Sequence, residues 1–293
     1  MTTGPFGYKQ ANPFGGDLDS LYAAKAALWA PYYHNRQTQL GATVTILNFG
    51  DRSNWGLESA ATGTGKKFSA TGLSPVWTPS EALSAFDTAF DLTQPSNWQG
   101  IAPVLTLNGT DEEMDTPDDT YFSRGDGVND SAFSLGLWVY ITGTGEMVFL
   151  GKWGASLEEW LVDLNGTTRL LQMILHDDSA ALSPNRTTDA AIAALNTWTQ
   201  VIITYAGTGG ATAANGITIY ANGAVAASTA NNQALYVAME NSTRLPSFGF
   251  ANATSYLQGK VAGGPFGPFF GQAELTAAQV ANLYQVERLG LGV

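Results

Sequence analysis

Phe133-Ser134-Leu135-Gly136-Leu137-Trp138-Val139-Tyr140-Ile141 carries the clearest conformational signal in the chain. Every odd-numbered position is apolar, while the even ones are Ser, Gly, Trp and Tyr. A period of two is that of a strand with one face in a core, and it predicts a half-exposed second face. Further strands are legible on both sides of this one. After it they fall at 146–152, 159–164, 169–176, 198–206, 216–228 and 246–251, separated mostly by Gly, Asn and Asp. Asn222-Gly223, between Ile219-Tyr220-Ala221 and Ala224-Val225, predicts a type I′ hairpin turn. Many short strands joined by turns make an all-β antiparallel sandwich with a few short helices.

Four segments break the pattern. Thr276-Ala277-Ala278-Gln279 is a capping box that opens a helix through about Glu287, with Val280, Leu283 and Tyr284 on one stripe. Thr78-Pro79-Ser80-Glu81 has an N-cap, a proline in the first turn and a carboxylate three residues after the cap, which predicts a helical insertion over 79–91. A short helix from Asp17 through Lys25 follows from the spacing of Leu18, Leu21 and Tyr22. Leu28-Trp29-Ala30-Pro31-Tyr32-Tyr33 reads as an outer strand, since proline in a sheet belongs at an edge.

Residues 1–20 form an extended arm in which the triplet Pro-Phe-Gly occurs twice, at 5–7 and 13–15. Its aromatics Phe6, Tyr8 and Phe14 gain from burial, either on the arm's own domain (residues 21–293) or on a neighbouring subunit, which makes them candidate assembly residues. The 25 acidic against 13 basic residues, with no run of Lys or Arg, argue against a nucleic-acid partner. There is no cysteine, hence neither a disulfide scaffold nor a thiolate metal site. No signal-peptide pattern and no apolar run of membrane-spanning length occurs, so the expectation is a protein made in the cytoplasm and not inserted in a membrane. On that route the six Asn-x-Ser/Thr sequons, at Asn108, Asn129, Asn165, Asn185, Asn241 and Asn252, carry no meaning.

Several of these segments together resemble the concanavalin A-like, laminin G-like jelly rolls. Val104-Leu105-Thr106-Leu107-Asn108-Gly109-Thr110 is similar to that family's apolar strand and Asn-Gly turn, and Phe133 to Val139 to its Phe-Ser strand with a Trp on the central sheet. Thr197 to Tyr205, Ile219 to Gly223, and the closing Glu274-Leu275-Thr276-Ala277-Ala278-Gln279 follow in the family's order. The resemblance runs over roughly residues 21–290 and implies one jelly-roll domain. Gly264-Pro265-Phe266-Gly267-Pro268-Phe269-Phe270-Gly271 departs from it, standing where a regular strand is usual. Its two prolines leave two readings, a docking edge for the arm or a rigid turn, with the turn preferred.

The family hosts lectins, glycosidases and structural modules, so residues must decide between them. Glycosidases of this fold place carboxylates alternately on one strand, about 5 Å apart in retaining enzymes. Glu112, Glu113 and Asp115 lie instead in a polar, turn-like stretch, and Glu158, Glu159 and Asp163 match the pattern no better. His34 and His176 have no partner at a metal-ligand spacing, and no Gly-x-Ser-x-Gly nucleophile elbow occurs. Gly63-Thr64-Gly65-Lys66-Lys67 lacks the upstream Gly and the trailing Ser/Thr of a phosphate loop, and Arg124-Gly125-Asp126 is a three-residue match in a Gly-rich loop.

Related jelly rolls often hold calcium on loop oxygens, for which Asp126, Asn129 and Asp130 are the candidates. Exposed aromatics can stack sugars, and Trp138, Tyr140, Trp153 and Trp160 are the candidates there. The resulting expectation is a non-enzymatic virion structural protein. It would be a bacteriophage capsid decoration or fibre-associated subunit with a lectin-like body, homo-oligomeric and in contact with neighbouring virion subunits. A carbohydrate-binding module that meets surface glycans is the alternative, and a glycoside hydrolase comes last.

Overall fold

The computed structural model describes residues 118–293 apart from 155–156, 250, 252–254 and 264–265. Before residue 118 it describes 31–32, 35–36, 38–39, 44–48, 56–59, 78–79, 98–100, 102–110 and 114–115. The strands are β1 (Val44–Asn48), β2 (Gly56–Ser59), β3 (Thr78–Pro79), β4 (Trp98–Gln99), β5 (Ala102–Asn108), β6 (Met114–Asp115), β7 (Phe133–Ile141), β8 (Met147–Lys152), β9 (Trp160–Leu164), β10 (Leu171–Leu175), β11 (Asn185–Thr188) and β12 (Trp198–Tyr205). They continue with β13 (Ile217–Ala221), β14 (Ala224–Val225), β15 (Ser228–Asn231), β16 (Ser247–Phe248), β17 (Gln258–Ala262) and β18 (Phe269–Gly271), and the chain closes with helix α1 (Ala277–Leu291).

Two antiparallel sheets face each other. The first runs β14-β13-β12-β7-β17-β5-β4, with β18 and then β1 and β2 branching from β7. The second runs β15-β11-β10-β9-β8-β16-β6-β3. β7 is the centre of the first sheet. Its whole length pairs with β12, from Phe133 opposite Tyr205 to Tyr140 opposite Trp198. Its other edge is shared, with β18 along Ser134–Gly136 and β17 along Val139–Ile141. The odd-numbered β7 residues fill the space between the sheets with Phe149, Trp160, Val162, Leu164, Leu171, Met173 and Leu175, as the period of two requires.

The other face of β7 is also buried, contrary to the half-exposed expectation: only Tyr140 on that strand is partly exposed. Helix α1, Phe266 and the Phe269 side chain cover it. Val280 and Leu283 pack with Ile202, Tyr220 and Phe269, while Leu291 and Phe266 pack with Trp138, Trp198 and Val104. Gly136 allows this close cover, since a Cβ there would meet Ile202 and the Phe269 ring, both at 2.7 Å. The helix starts at the predicted capping box, where Thr276 Oγ1 accepts the Gln279 amide and Gln279 Oε1 accepts the Thr276 amide. It continues past Glu287 to Leu291 and stops at Gly292 in the left-handed region.

Three local expectations change. Pro31 and Tyr32 are helical rather than an outer strand, because proline's fixed φ also suits a first helical turn, and the Tyr32 ring lies 4.8 Å from Phe266. Thr78 and Pro79 do not start a helix but pair with Asp115 and Met114 at a sheet edge, which outweighs the local capping signal. Phe269–Gly271 is a strand paired with both β7 and β1, so the segment is not merely a turn: its prolines precede the paired residues. The hairpin expectation is met. Asn222 and Gly223 have φ of 50° and 78°, the two positive values that a type I′ turn needs, between paired Ala221 and Ala224. The arm with Phe6, Tyr8 and Phe14, the Asp17–Lys25 segment, His34, Gly63–Lys67, residues 80–91, Glu112 and Glu113 lie outside the described residues.

Candidate binding surface at the loop end

Because β7 begins where β12 ends, and β8 ends where β9 begins and β10 ends, one end of the sandwich collects loops from both sheets. The stretch 118–132, the connections 153–159, 176–184 and 206–216, and part of 232–246 meet there. Trp160 ties the first of them down, its indole N–H donating to the Phe122 carbonyl at 2.9 Å.

The most polar part of this end surrounds His176. Its Nδ1 is 2.7 Å from Ser183 Oγ, and its Nε2 is 3.3 Å from Glu158 Oε2 and 3.7 Å from Asp178 Oδ1. The half-buried Trp153 ring meets the imidazole edge-on, with centroids 5.4 Å apart, and Arg244 Nε donates to the Trp153 carbonyl at 2.9 Å. The Trp153 ring thus lies against an imidazole that meets two partly exposed carboxylates and a hydroxyl, and the Trp153 carbonyl holds a guanidinium. This is the mixture of flat apolar surface and hydrogen-bonding groups that a polyhydroxylated ligand uses.

Beneath it lies a charged cluster. Lys152, the last residue of β8, is fully buried, and its Nζ lies 2.6 Å from Ser123 Oγ, 2.6 Å from Glu159 Oε1, 2.7 Å from the Ser242 carbonyl and 2.8 Å from Asp118 Oδ1. Glu159 Oε1 also accepts from Ser123 Oγ and the Ser242 amide, while its Oε2 is buried with no partner among the described residues. Burial pushes the Glu159 carboxyl up from the usual range, against the pull of Lys152.

The remaining candidates separate. Trp138 and Trp160 are fully buried, so neither offers a face to a sugar; Trp138 donates its N–H to Glu287 Oε2 at 2.7 Å beneath α1. Tyr140 is partly exposed but lies on the first sheet, against Trp198 and Lys260. Of the four aromatics only Trp153 is both partly exposed and at the loop end.

Asp126 Oδ1 accepts the Val128 and Asn129 amides as an ordinary turn cap. Asp130 points inward. Its Oδ1 accepts the Met239 amide and its Oδ2 the phenols of Tyr205 (2.6 Å) and Tyr236 (2.9 Å). Burial pushes Asp130 up, and burial together with that carboxylate raises both phenols. Both oxygens of Asp130 thus already accept protein donors. Among the described residues no group of three or more His, Cys, Asp or Glu side chains could hold a metal. Arg124 of the Arg-Gly-Asp match is folded back onto the Ala132 carbonyl.

Glu159 and Asp163 are not spaced as a hydrolytic pair. Glu159 and Asp163 are four residues apart along extended backbone, hence about 13 Å, beyond the roughly 5–9.5 Å that glycosidases use. Asp163 is buried, accepts from Gln172 Nε2 at 3.0 Å, and is pushed by burial up to about 6.

The family model of the concanavalin A-like lectin/glucanases superfamily matches residues 108–263, more than half of the chain. The chain belongs to this superfamily. No curated protein matches. Among solved structures, a tryptophan-to-alanine mutant of HCR/D aligns with a TM-score of 0.51 at 12% identity over 84% of this chain and 52% of that one. The receptor binding domain of botulinum neurotoxin D gives 0.45 at 14%, over 64% and 44%. Botulinum neurotoxin type C, whose cell entry is described as dependent upon interaction with two ganglioside molecules, gives 0.43 at 16%, over 64% and 42%. The chain thus spans about half the length of these structures or less, and identities this low speak for the fold alone.

Trp153, His176, Glu158 and Glu159 stand out separately as residue types in the sequence, whereas Asp178, Ser183, Arg244, Asp118 and Lys152 do not. For Lys152 a signal existed, since one lysine closes the apolar run Met147–Gly151 on a strand next to the Trp160 strand.

Proposed function

We propose that this protein is a non-catalytic, lectin-like module that binds carbohydrate at the loop end, with Trp153 as the stacking ring. The observation that carries this reading is the partly exposed Trp153 set edge-on to His176, which contacts Glu158, Asp178 and Ser183, with Arg244 on the Trp153 carbonyl. Each of these offers donors or acceptors to a sugar hydroxyl. The test is a glycan array followed by titration of the best ligand. Trp153→Ala is expected to weaken binding at least tenfold, while Tyr140→Ala leaves it unchanged. Equal loss with both variants, or hydrolysis of the ligand, would overturn the reading.

The setting we propose for such a module is a virion, as a capsid decoration or fibre-associated subunit. Two contacts favour it. Tyr32 packs on Phe266, and Arg36 Nη1 donates to the Gly267 carbonyl at 2.6 Å, so the Gly/Pro-Phe segment at 264–271 accepts aromatic and basic side chains from the N-terminal region. The arm repeats that Pro-Phe-Gly triplet and has its own aromatics to offer a second copy. Solution mass before and after deletion of residues 1–16 tests this. An arm-dependent oligomer supports it, and a monomer in both cases refutes it.

A further inference from the structure

The cluster below the loop end has more chemistry than sugar binding requires. Lys152 Nζ is enclosed by four oxygens but has three protons to give, so not all four contacts can be hydrogen bonds at once. Two of the four belong to carboxyl groups in very different surroundings. Glu159 is fully buried with one oxygen unpartnered among the described residues, whereas the Asp118 side chain is 29% exposed.

We propose that Lys152 and Asp118 condense to an intramolecular isopeptide bond, formed by the folded protein itself with Glu159 as the proton carrier. Nζ passes a proton to Glu159, and its freed lone pair attacks Asp118 Cγ, 2.8 Å being the present distance from Nζ to Oδ1 of that carboxyl. The new C–N bond forms as one Asp118 C–O bond breaks. Two of the three ammonium protons reach the departing oxygen through Glu159 and leave with it as water; the third stays on the amide nitrogen. Nothing is oxidised or reduced, Glu159 is regenerated, and the positive and negative charges disappear together.

Three features favour the reaction in this place. The fold holds nucleophile and electrophile in contact, which replaces a bimolecular encounter. Condensation removes a cation from a site where its burial is costly. Asp118 is the electrophile because its partial exposure lets the water escape, whereas Glu159 is enclosed and its burial favours the protonated form that a carrier must adopt.

Intact mass of the full chain followed by peptide mapping decides it. The native protein is expected to be one water lighter than its sequence, with the Lys152 and Asp118 peptides joined. Asp118→Ala should restore the full mass, and Asp118→Asn should lose ammonia instead and give the same linkage. Glu159→Gln, checked for folding by circular dichroism, should stay unlinked. A native protein of unmodified mass overturns the proposal. So does a water loss that maps to a succinimide at Asp126-Gly127 or to Glu159, and a crosslink that persists in Glu159→Gln overturns the role given to Glu159.

Discussion

Removing Glu287 should be costly to this fold. It sits on the buried stripe of α1 and accepts from Arg36 Nε (2.6 Å), Arg36 Nη2 (3.2 Å), Trp138 Nε1 (2.7 Å) and Gln200 Nε2 (3.1 Å). Arg36 and Glu287 are each only 1% exposed, so water cannot replace the lost partner. Glu287→Ala strands a buried guanidinium, an indole N–H and an amide at one stroke. Breaking such a pair from one side costs about 3–5 kcal/mol, a large share of the ~5–15 kcal/mol that holds a domain together. At roughly 2–4 °C per kcal/mol for a domain of this size, the melting midpoint should fall by about 6–20 °C.

The double variant Arg36→Met with Glu287→Leu removes both charges and should recover much of the loss, because apolar replacement of a buried pair is often near neutral. Urea unfolding monitored by tryptophan fluorescence measures all three proteins. A Glu287→Ala cost below about 1 kcal/mol would refute the reasoning. A double variant as costly as the two single ones combined would refute it too, since the charges would then not act as a pair.

Other consequences are open to the same methods. Asp163 titrates near 6 in the folded chain against 3.8 for a free carboxyl, so its ionisation opposes folding: the penalty is absent below about pH 4, grows as pH rises, and is complete above about pH 6. Its size follows from the shift, about 3 kcal/mol, and Asp163→Asn should therefore gain stability relative to the native protein at pH 8 but not at pH 4; a pH-independent difference would contradict this. Asp130→Ala leaves the Tyr205 and Tyr236 phenols and the Met239 amide without their acceptor and should cost about 2–4 kcal/mol. Calcium should leave the melting midpoint of the native protein unmoved, and a rise abolished by Asp130→Ala would restore the ion site. Gly223→Ala should destabilise by about 1–3 kcal/mol, because φ there is +78° and the new Cβ would lie 2.7 Å from Cβ of Tyr284 on α1.

Much of the fold was legible from short-range pattern. The period of two in 133–141, the capping box at Thr276 and the Asn222-Gly223 turn are each set by neighbouring residues, so each could be read before any contact was known. The same locality misled at Pro79, which pairs with Met114 of a distant strand, and at Pro31, whose fixed φ suits an edge strand and a helix alike. The candidate binding surface was legible only in pieces. Trp153, Glu158 and His176 stood out as residue types, but nothing in their spacing tells that the β8–β9 and β10–β11 loops meet at one end.

What the sequence by itself determined is the class of structure: alternating strands, turn chemistry and a capped final helix admit an antiparallel sandwich. Only the tertiary structure decided which faces and charges are hidden. Trp138 is core rather than a sugar platform because α1 covers the second face of β7, and Glu287, Arg36 and Trp138 converge from three separate segments. Lys152 likewise meets Asp118 and Glu159 only because the strand ends bring them together. Side-chain alternation is local, whereas the desolvation of a second face and the pairing of buried charges depend on which distant segment comes to rest there.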